Sequence, residues 1–282
     1  MVKIVSDSTC DLSKELLEKY QVTLIPLHVL MGDRDCRDGL DVTSEDIYEW
    51  ADANNTTPKT SAVSPQEVLD VIEPLLQGDD EVLCFSISEK MSSTYSVMKM
   101  VCEDLDAADR VAVFDSANLS TGIGLLVIEA AVMAQKGMAL KEIVTELEKL
   151  RPMVRSSFVV DTLTYLHRGG RCSGATALVG GMLKIHPKIV VQEGKMDVSQ
   201  KYRGKMAKVI PNYAADMEAD LKAAKKDRVF ITHSGCEQAV IEQVYQYLEG
   251  LGIFEEILVT KAGCVISSHC GPGTLGVLFI AE

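Results

Sequence analysis

Two short hydroxyl-rich segments stand out as places where chemistry could occur. Lys59-Thr60-Ser61 lies just upstream of Ser64-Pro65-Gln66-Glu67, a capping box with proline at the first helical position. Ser92-Ser93-Thr94 lies where a helix is expected to begin. Free amides at a helix N-terminus attract an anion, and adjacent hydroxyls donate to it. Two such loops with no base beside them suit a carboxylate or phosphate cradle; simple N-capping would also account for Ser92. A third polar run, Asp7-Ser8-Thr9-Cys10-Asp11-Leu12, follows the first expected strand. Its hydroxyls could face a ligand crevice, or equally build turns and helix caps.

Basic and imidazole groups cluster later in the chain: Arg168-Gly169-Gly170-Arg171, Arg203-Gly204-Lys205 and His269-Cys270-Gly271-Pro272-Gly273. Arg or Lys beside glycine lets an anion approach backbone and side chain together, although exposed turns have the same composition. His269 is one of five histidines, most of which are expected to be structural, but the Gly-Pro-Gly after it should leave its ring accessible.

These segments need elements to hold them. Short β-rich runs alternate with amphipathic ones through the first half: strands at 3–7, 22–31, 81–87 and 110–115, and helices at 13–20, 43–53, 65–76, 92–104, 121–135 and 140–150. The alternation predicts an α/β fold, a parallel sheet covered by helices, with ligands beyond the carboxyl ends of its strands. The second half mixes strand pairs with helices and predicts an α+β sandwich. Its strands are expected at 157–161, 183–191, 195–198, 228–233, 257–259 and 277–280, and its main helices at 207–224 and 237–248. Two domains follow, 1–155 and 156–282, from a chain of 282 residues.

Composition narrows the function classes. With 28 Lys+Arg against 41 Asp+Glu the net charge is −13, which argues against gripping nucleic acid or an anionic membrane. The apolar run at 123–133 is broken by Glu129 and is too short to span a bilayer, so no stable membrane insertion is expected. The first residues lack a secretory h-region, and the eight cysteines contain no Cys-x-x-Cys pair. Buried reduced thiols in the cytoplasm are therefore expected, with no metal site. There is no Gly-x-Ser-x-Gly elbow, Walker loop or His-Glu-x-x-His. Gly122-Ile123-Gly124 opens a helix but lacks the third glycine of a dinucleotide fingerprint; close helix packing accounts for it better.

Taken in order, the segments resemble the DegV family, the fatty-acid-binding subunits of bacterial fatty acid kinase. Asp7-Ser8-Thr9-Cys10-Asp11-Leu12 is similar to the family's opening Asp-Ser-x-x-Asp-Leu. Pro58 to Pro65 is similar to its Pro-x-Thr-Ser loop, and Met91 to Tyr95 to its Leu-Ser-Gly-Thr-Tyr. Asp115-Ser116 with Gly122-x-Gly124, the two Arg-Gly segments and His269 to Gly276 also fit. Ser93, Ala62 and His186 depart from the pattern, standing where Gly, Gln and Lys are usual.

The resemblance implies a two-domain α/β carrier that binds one long-chain fatty acid non-covalently. Thr60 and Ser92 would hold the carboxylate, with Ser61 and Ser93 nearby. Arg171, Arg203 and His269 would face the head group and assist its phosphorylation by a separate kinase subunit. That partner would bring ATP and Mg, and this chain would need no cofactor of its own. The residues are compatible with this. Burying an acyl chain gains about 0.8 kcal/mol per CH₂, while the carboxylate must stay hydrogen-bonded where it leaves water. A tunnel between the domains would meet both demands. Two other functions fit the residues less well: a stand-alone enzyme using His269 as nucleophile or base, and a nucleotide-binding regulator using Gly122 and Gly124.

Overall fold

The structure is a computed structural model that describes residues 1–172, 174 and 185–282. In the first half, β1 (Val2–Asp7), β2 (Val22–Ile25), β6 (Glu81–Ser86) and β7 (Val111–Asp115) form a parallel sheet in the order β2-β1-β6-β7. A small antiparallel sheet, β4-β3-β5, is built from β3 (His28–Met31), β4 (Arg34–Arg37) and β5 (Lys59–Ser61). The run at 22–31, expected as one strand, is thus two strands in two sheets. Pro26, which has no N–H to donate, stands at the break.

The second half is a mixed six-stranded sheet, ordered β10-β9-β8-β13-β11-β12. Its strands are β8 (Val154–Val159), β9 (Ile185–Gln192), β10 (Lys195–Arg203), β11 (Ala224–His233), β12 (Glu256–Lys261) and β13 (Leu275–Ala281). The expected hairpin at Glu193-Gly194 is present, both residues having positive φ as a tight hairpin turn requires. Leu183 and Lys184, where the first strand of that hairpin was expected to start, lie outside the described residues. The single helix expected over 207–224 is two, Met206–Ala215 and Glu218–Lys222, and β11 already begins at Ala224. The junction at 155/156 falls inside β8.

Side-chain alternation divides the apolar residues into layers. In β13, Leu275, Val277 and Phe279 pack with the helices Met206–Ala215 and Gln238–Leu251, while Leu278 and Ile280 face the opposite way. There they meet the helix Thr121–Gln135, which also packs on Leu83 and Phe85 of β6. This helix therefore lies between the two sheets and is buried on nearly all sides, which is why its sequence is apolar all round. Its two early glycines allow that contact: a Cβ at Gly124 would fall 2.8 Å from the Leu12 side chain. Glu129, buried in the same helix, is ion-paired to Arg228 and to Lys225 of β11 (2.7 Å for Lys225).

Near its C-terminal end the chain crosses back. The helix Cys264–Cys270 packs against β3, β5 and the helix Ser44–Asn54 of the first half, and against the helix Thr164–Gly169. Cys264 and Val265 belong to a core otherwise made of first-half residues. The eight cysteines are thiols, seven of them buried. Among the described residues, no helix is long and apolar enough to cross a membrane.

Candidate functional site

β5 pairs with β3 in the register Val29 opposite Thr60, so alternation leaves Lys59 and Ser61 exposed and turns Thr60 inward. Ser92 is placed by the turn after β6, where the Ser88 carbonyl accepts from the amides of both Met91 and Ser92. The second half holds this turn: Ser88 Oγ donates to the Gly194 carbonyl at 2.7 Å, and Lys90 Nζ to that of Glu193 at 2.8 Å. Ser92 Oγ accepts from the Thr94 amide (3.2 Å) at the start of the helix Thr94–Glu103. Ser92 Oγ also lies 2.9 Å from Thr94 Oγ1, and its proton is available to a ligand when Thr94 is the donor of that pair. Ser93 adopts φ −80°, so replacing the usual glycine there costs no backbone strain, and its hydroxyl is exposed and makes no capping bond.

His269 lies in the last turn of Cys264–Cys270, on a helix rather than in an open turn. Its Nε2 is 2.8 Å from Thr60 Oγ1, a contact between residues 209 positions apart. Its Nδ1 is buried without a hydrogen-bond partner. The ring is thus less accessible than Gly-Pro-Gly suggests. It is admitted by Gly169, where a Cβ would fall 2.3 Å from Nδ1. Burial, and then the nearby Arg171 guanidinium, push the His269 pKa down to about 4, so the imidazole is neutral at pH 7. Arg171 itself is exposed and joins its own segment to the Ser92 loop, donating from Nη1 to the Gly169 carbonyl at 2.8 Å and from Nε to that of Met91 at 3.4 Å.

These groups surround a cavity of about 290 Å³. Thr60, Ser61, Ser92, Ser93, Arg171 and His269 supply its polar wall. Leu27, Ile87, Met91, Leu119, Met196 and Ile266 supply its apolar wall. A smaller void of about 30 Å³ shares Leu119, Ile266 and Cys270 with it. A polar wall beside an apolar one suits an amphiphile. A larger groove of about 1060 Å³ is edged by Glu148, Arg151, Arg155, Lys188, Glu193 and Lys195. Mixed charges open to water cannot desolvate an apolar chain, so the smaller cavity is the better candidate.

Of the residues singled out by sequence, the structure gathers Thr60, Ser61, Ser92, Ser93, Arg171 and His269 at this cavity. Arg203 is outside its lining, exposed at the end of β10. The turn after it is held by buried His186, whose Nε2 is 3.0 Å from the Gly204 carbonyl. The opening acidic run is used for the fold. Asp7 accepts from the Thr9 and Ile87 amides, and Ser8 Oγ donates to Asp38 at 2.8 Å. Sequence reasoning missed the apolar wall; Met196 and Ile266 carry no signal separating a cavity wall from a core.

The family model described as "Uncharacterised protein, DegV family" matches residues 1–282. A DegV domain-containing protein of Caldanaerobacter subterraneus is 31% identical over 280 residues, covering 99% of this chain and 98% of the relative. A DegV family protein of Thermus thermophilus, whose structure is described as showing fatty acid binding, superposes with a TM-score of 0.90 at 31% identity. That match covers 100% of this chain and 99% of the other. A stearic-acid-binding protein of Eubacterium ventriosum superposes with a TM-score of 0.85 at 28% identity, over 100% and 98% of the two chains. A family match running from the first residue to the last, with relatives and folds similar over the same span, makes this chain a member of the DegV family.

Proposed function

We propose that the chain binds one long-chain fatty acid non-covalently and presents its carboxylate to a separate kinase for phosphorylation to an acyl phosphate. The observation that carries the reading is the Thr60–His269 contact, set with Ser92 on the polar side of an otherwise apolar cavity. The solved relatives described as binding fatty acids support it.

Thr60 can donate to a carboxylate only if its own proton is not given to His269. That holds when Nε2 carries the imidazole proton and donates to Thr60 Oγ1. Thr60 then donates to one carboxylate oxygen and Ser92 to the other, and two such donors keep a partly desolvated carboxylate ionised. No base is required for transfer. The ionised oxygen attacks the γ-phosphorus of ATP held by the partner, the bond from that phosphorus to the bridging oxygen of ADP breaks, and ADP leaves with the electron pair. Arg171 offers paired donors to the charge on the transferring group. ATP and Mg belong to the partner, and this chain needs no cofactor. Arg203 lies away from the cavity lining, and its part in the transfer step rests on the family resemblance alone. A cytoplasmic location agrees with a partner that uses ATP and with thiols kept reduced.

Reconstitution with the kinase and ATP tests the transfer half. Arg171→Ala and Arg203→Ala should keep fatty acid affinity within about threefold of the parent and lose acyl-phosphate formation. His269→Ala should lose both, because it also releases Thr60. Kinase binding is measured alongside, so that lost docking is separated from lost transfer. Full acyl-phosphate production by all three variants would end this part of the proposal.

A further inference from the structure

His269 is placed by a helix of only seven residues, Cys264–Cys270, too short to be stable alone. The leading amides of any helix lack internal partners and, when buried, must find acceptors. Here two carboxylates from the other half of the chain supply them. Asp11 Oδ1 accepts from the Gly263 amide at 2.9 Å, and Asp38 Oδ1 from the Cys264 amide at 2.7 Å. The second oxygen of each is held within the first half: Ser120 Oγ donates to Asp11 Oδ2, and Ser8 Oγ donates to Asp38 Oδ2 at 2.8 Å. Ser8 Oγ in turn accepts from the amide of Leu27, a residue of the apolar cavity wall.

We propose that Asp11 and Asp38 are positioning residues for the head-group site, fixing the helix Cys264–Cys270 so that His269 Nε2 meets Thr60 Oγ1. The inference rests on the reading of Thr60 and His269 as head-group residues. At 1.5 Å per residue His269 lies roughly 7–8 Å along the helix from Cys264, so a shift at the capped end moves the ring by a similar amount. Head-group chemistry tolerates about 0.5 Å of such movement.

The choice of aspartate is informative. A serine would cap these amides with a single oxygen. Both aspartates are buried, and burial raises their pKa values by more than the hydroxyl and amide donors lower them, Asp11 to well above the ordinary carboxylate value. Among the described residues no group of His, Cys, Asp and Glu is arranged to hold a metal ion. Each carboxyl group is instead satisfied by one helix amide and one hydroxyl. A carboxyl group has two oxygens, so each side chain joins a helix amide to a hydroxyl of the first half and fixes the direction of the helix.

The test is ¹⁵N NMR of His269 in the full chain without added ligand, together with palmitate affinity. In the parent, His269 should show the Nε2-protonated tautomer. Asp11→Ala and Asp38→Ala should shift it toward a tautomer average and weaken palmitate binding about tenfold, and Asn at either position should recover most of the loss. Folded Ala variants whose His269 signals match the parent and whose affinity lies within twofold of it would overturn the proposal. If the Ala variants do not fold, Ser8→Ala and Ser120→Ala remove the outer bond to each carboxylate. They should move the His269 signals in the same direction, and unchanged signals would overturn the proposal. A parent that binds no palmitate would refute the carrier function while leaving the His269 spectrum to decide the positioning.

Discussion

A hydroxyl has one proton to give, and at Thr60 that proton decides what the site can hold. Hydrogen bonds to charged groups contribute about 1.5–3 kcal/mol, so Thr60→Ala or Ser92→Ala should weaken fatty acid binding by about one to two orders of magnitude, as measured by calorimetry. Parent-like affinity in both would place the carboxylate elsewhere. The neutral state of His269 is a separate prediction. Its pKa is pushed down to about 4 from an ordinary 6.5, so between those values the unfolded chain binds a proton that the folded chain does not. The stability from this residue is present above pH 6.5 and lost as pH falls toward 4. Asp7 acts in the opposite sense: burial pushes its pKa up to about 6, so its contribution is present below 3.8 and lost as pH rises through 6. Because the two oppose each other, a melting curve is a poor readout, and the His269 ring resonances should be followed directly. They should stay at their neutral positions from pH 8 to about 5; a midpoint near 6.5 would contradict the desolvated environment. The hydroxyls were legible in sequence because they cluster where strands and helices end. The burial of His269 was not, because the room for its ring comes from Gly169, a hundred residues away in the chain.

Among the elements, the helix Thr121–Gln135 was placed to the residue by sequence, but its apolar pattern could not say that it lies between two sheets. Its one carboxylate tests that placement. Glu129→Gln removes the closest carboxylate of Arg228, which is only 10% exposed and keeps Glu256 at 3.7 Å, and one of two carboxylates of Lys225, which keeps Asp227 at 2.6 Å. The cost therefore falls below the roughly 3 kcal/mol of a fully broken buried pair, at about 1–2 kcal/mol. The urea midpoint should fall with the slope unchanged, and an unaltered midpoint would contradict the pairing. Other elements were hard to read for local reasons. β5 has three residues with two exposed, too few to display alternation, so Thr60 was seen as a loop hydroxyl and not as a strand position. β10 continues to Arg203 through the polar run Ser199-Gln200-Lys201, where period-2 hydrophobicity fades. Pro26 marked the division of the 22–31 run, and an unbroken apolar stretch around it masked that signal.

At the scale of the whole molecule, the site exists because the chain crosses back. Thr60 and Ser92 come from the first half, Arg171 and His269 from the second, and the apolar wall from both. Sequence indicated two halves and the polar groups of each. It could not reveal the cavity, since Leu27, Ile87, Leu119 and Ile266 read as ordinary core residues and become a wall only when the two halves meet. The proposed function requires an acyl chain in that cavity with its carboxylate at Thr60 and Ser92. The most direct measurement is native mass spectrometry of the purified protein, with solvent extraction of whatever it carries. One non-covalent fatty acid per chain is expected, released by organic solvent and regained when the stripped protein is mixed with palmitate or oleate. Protein that carries no fatty acid, and that binds neither acid after stripping, would contradict it.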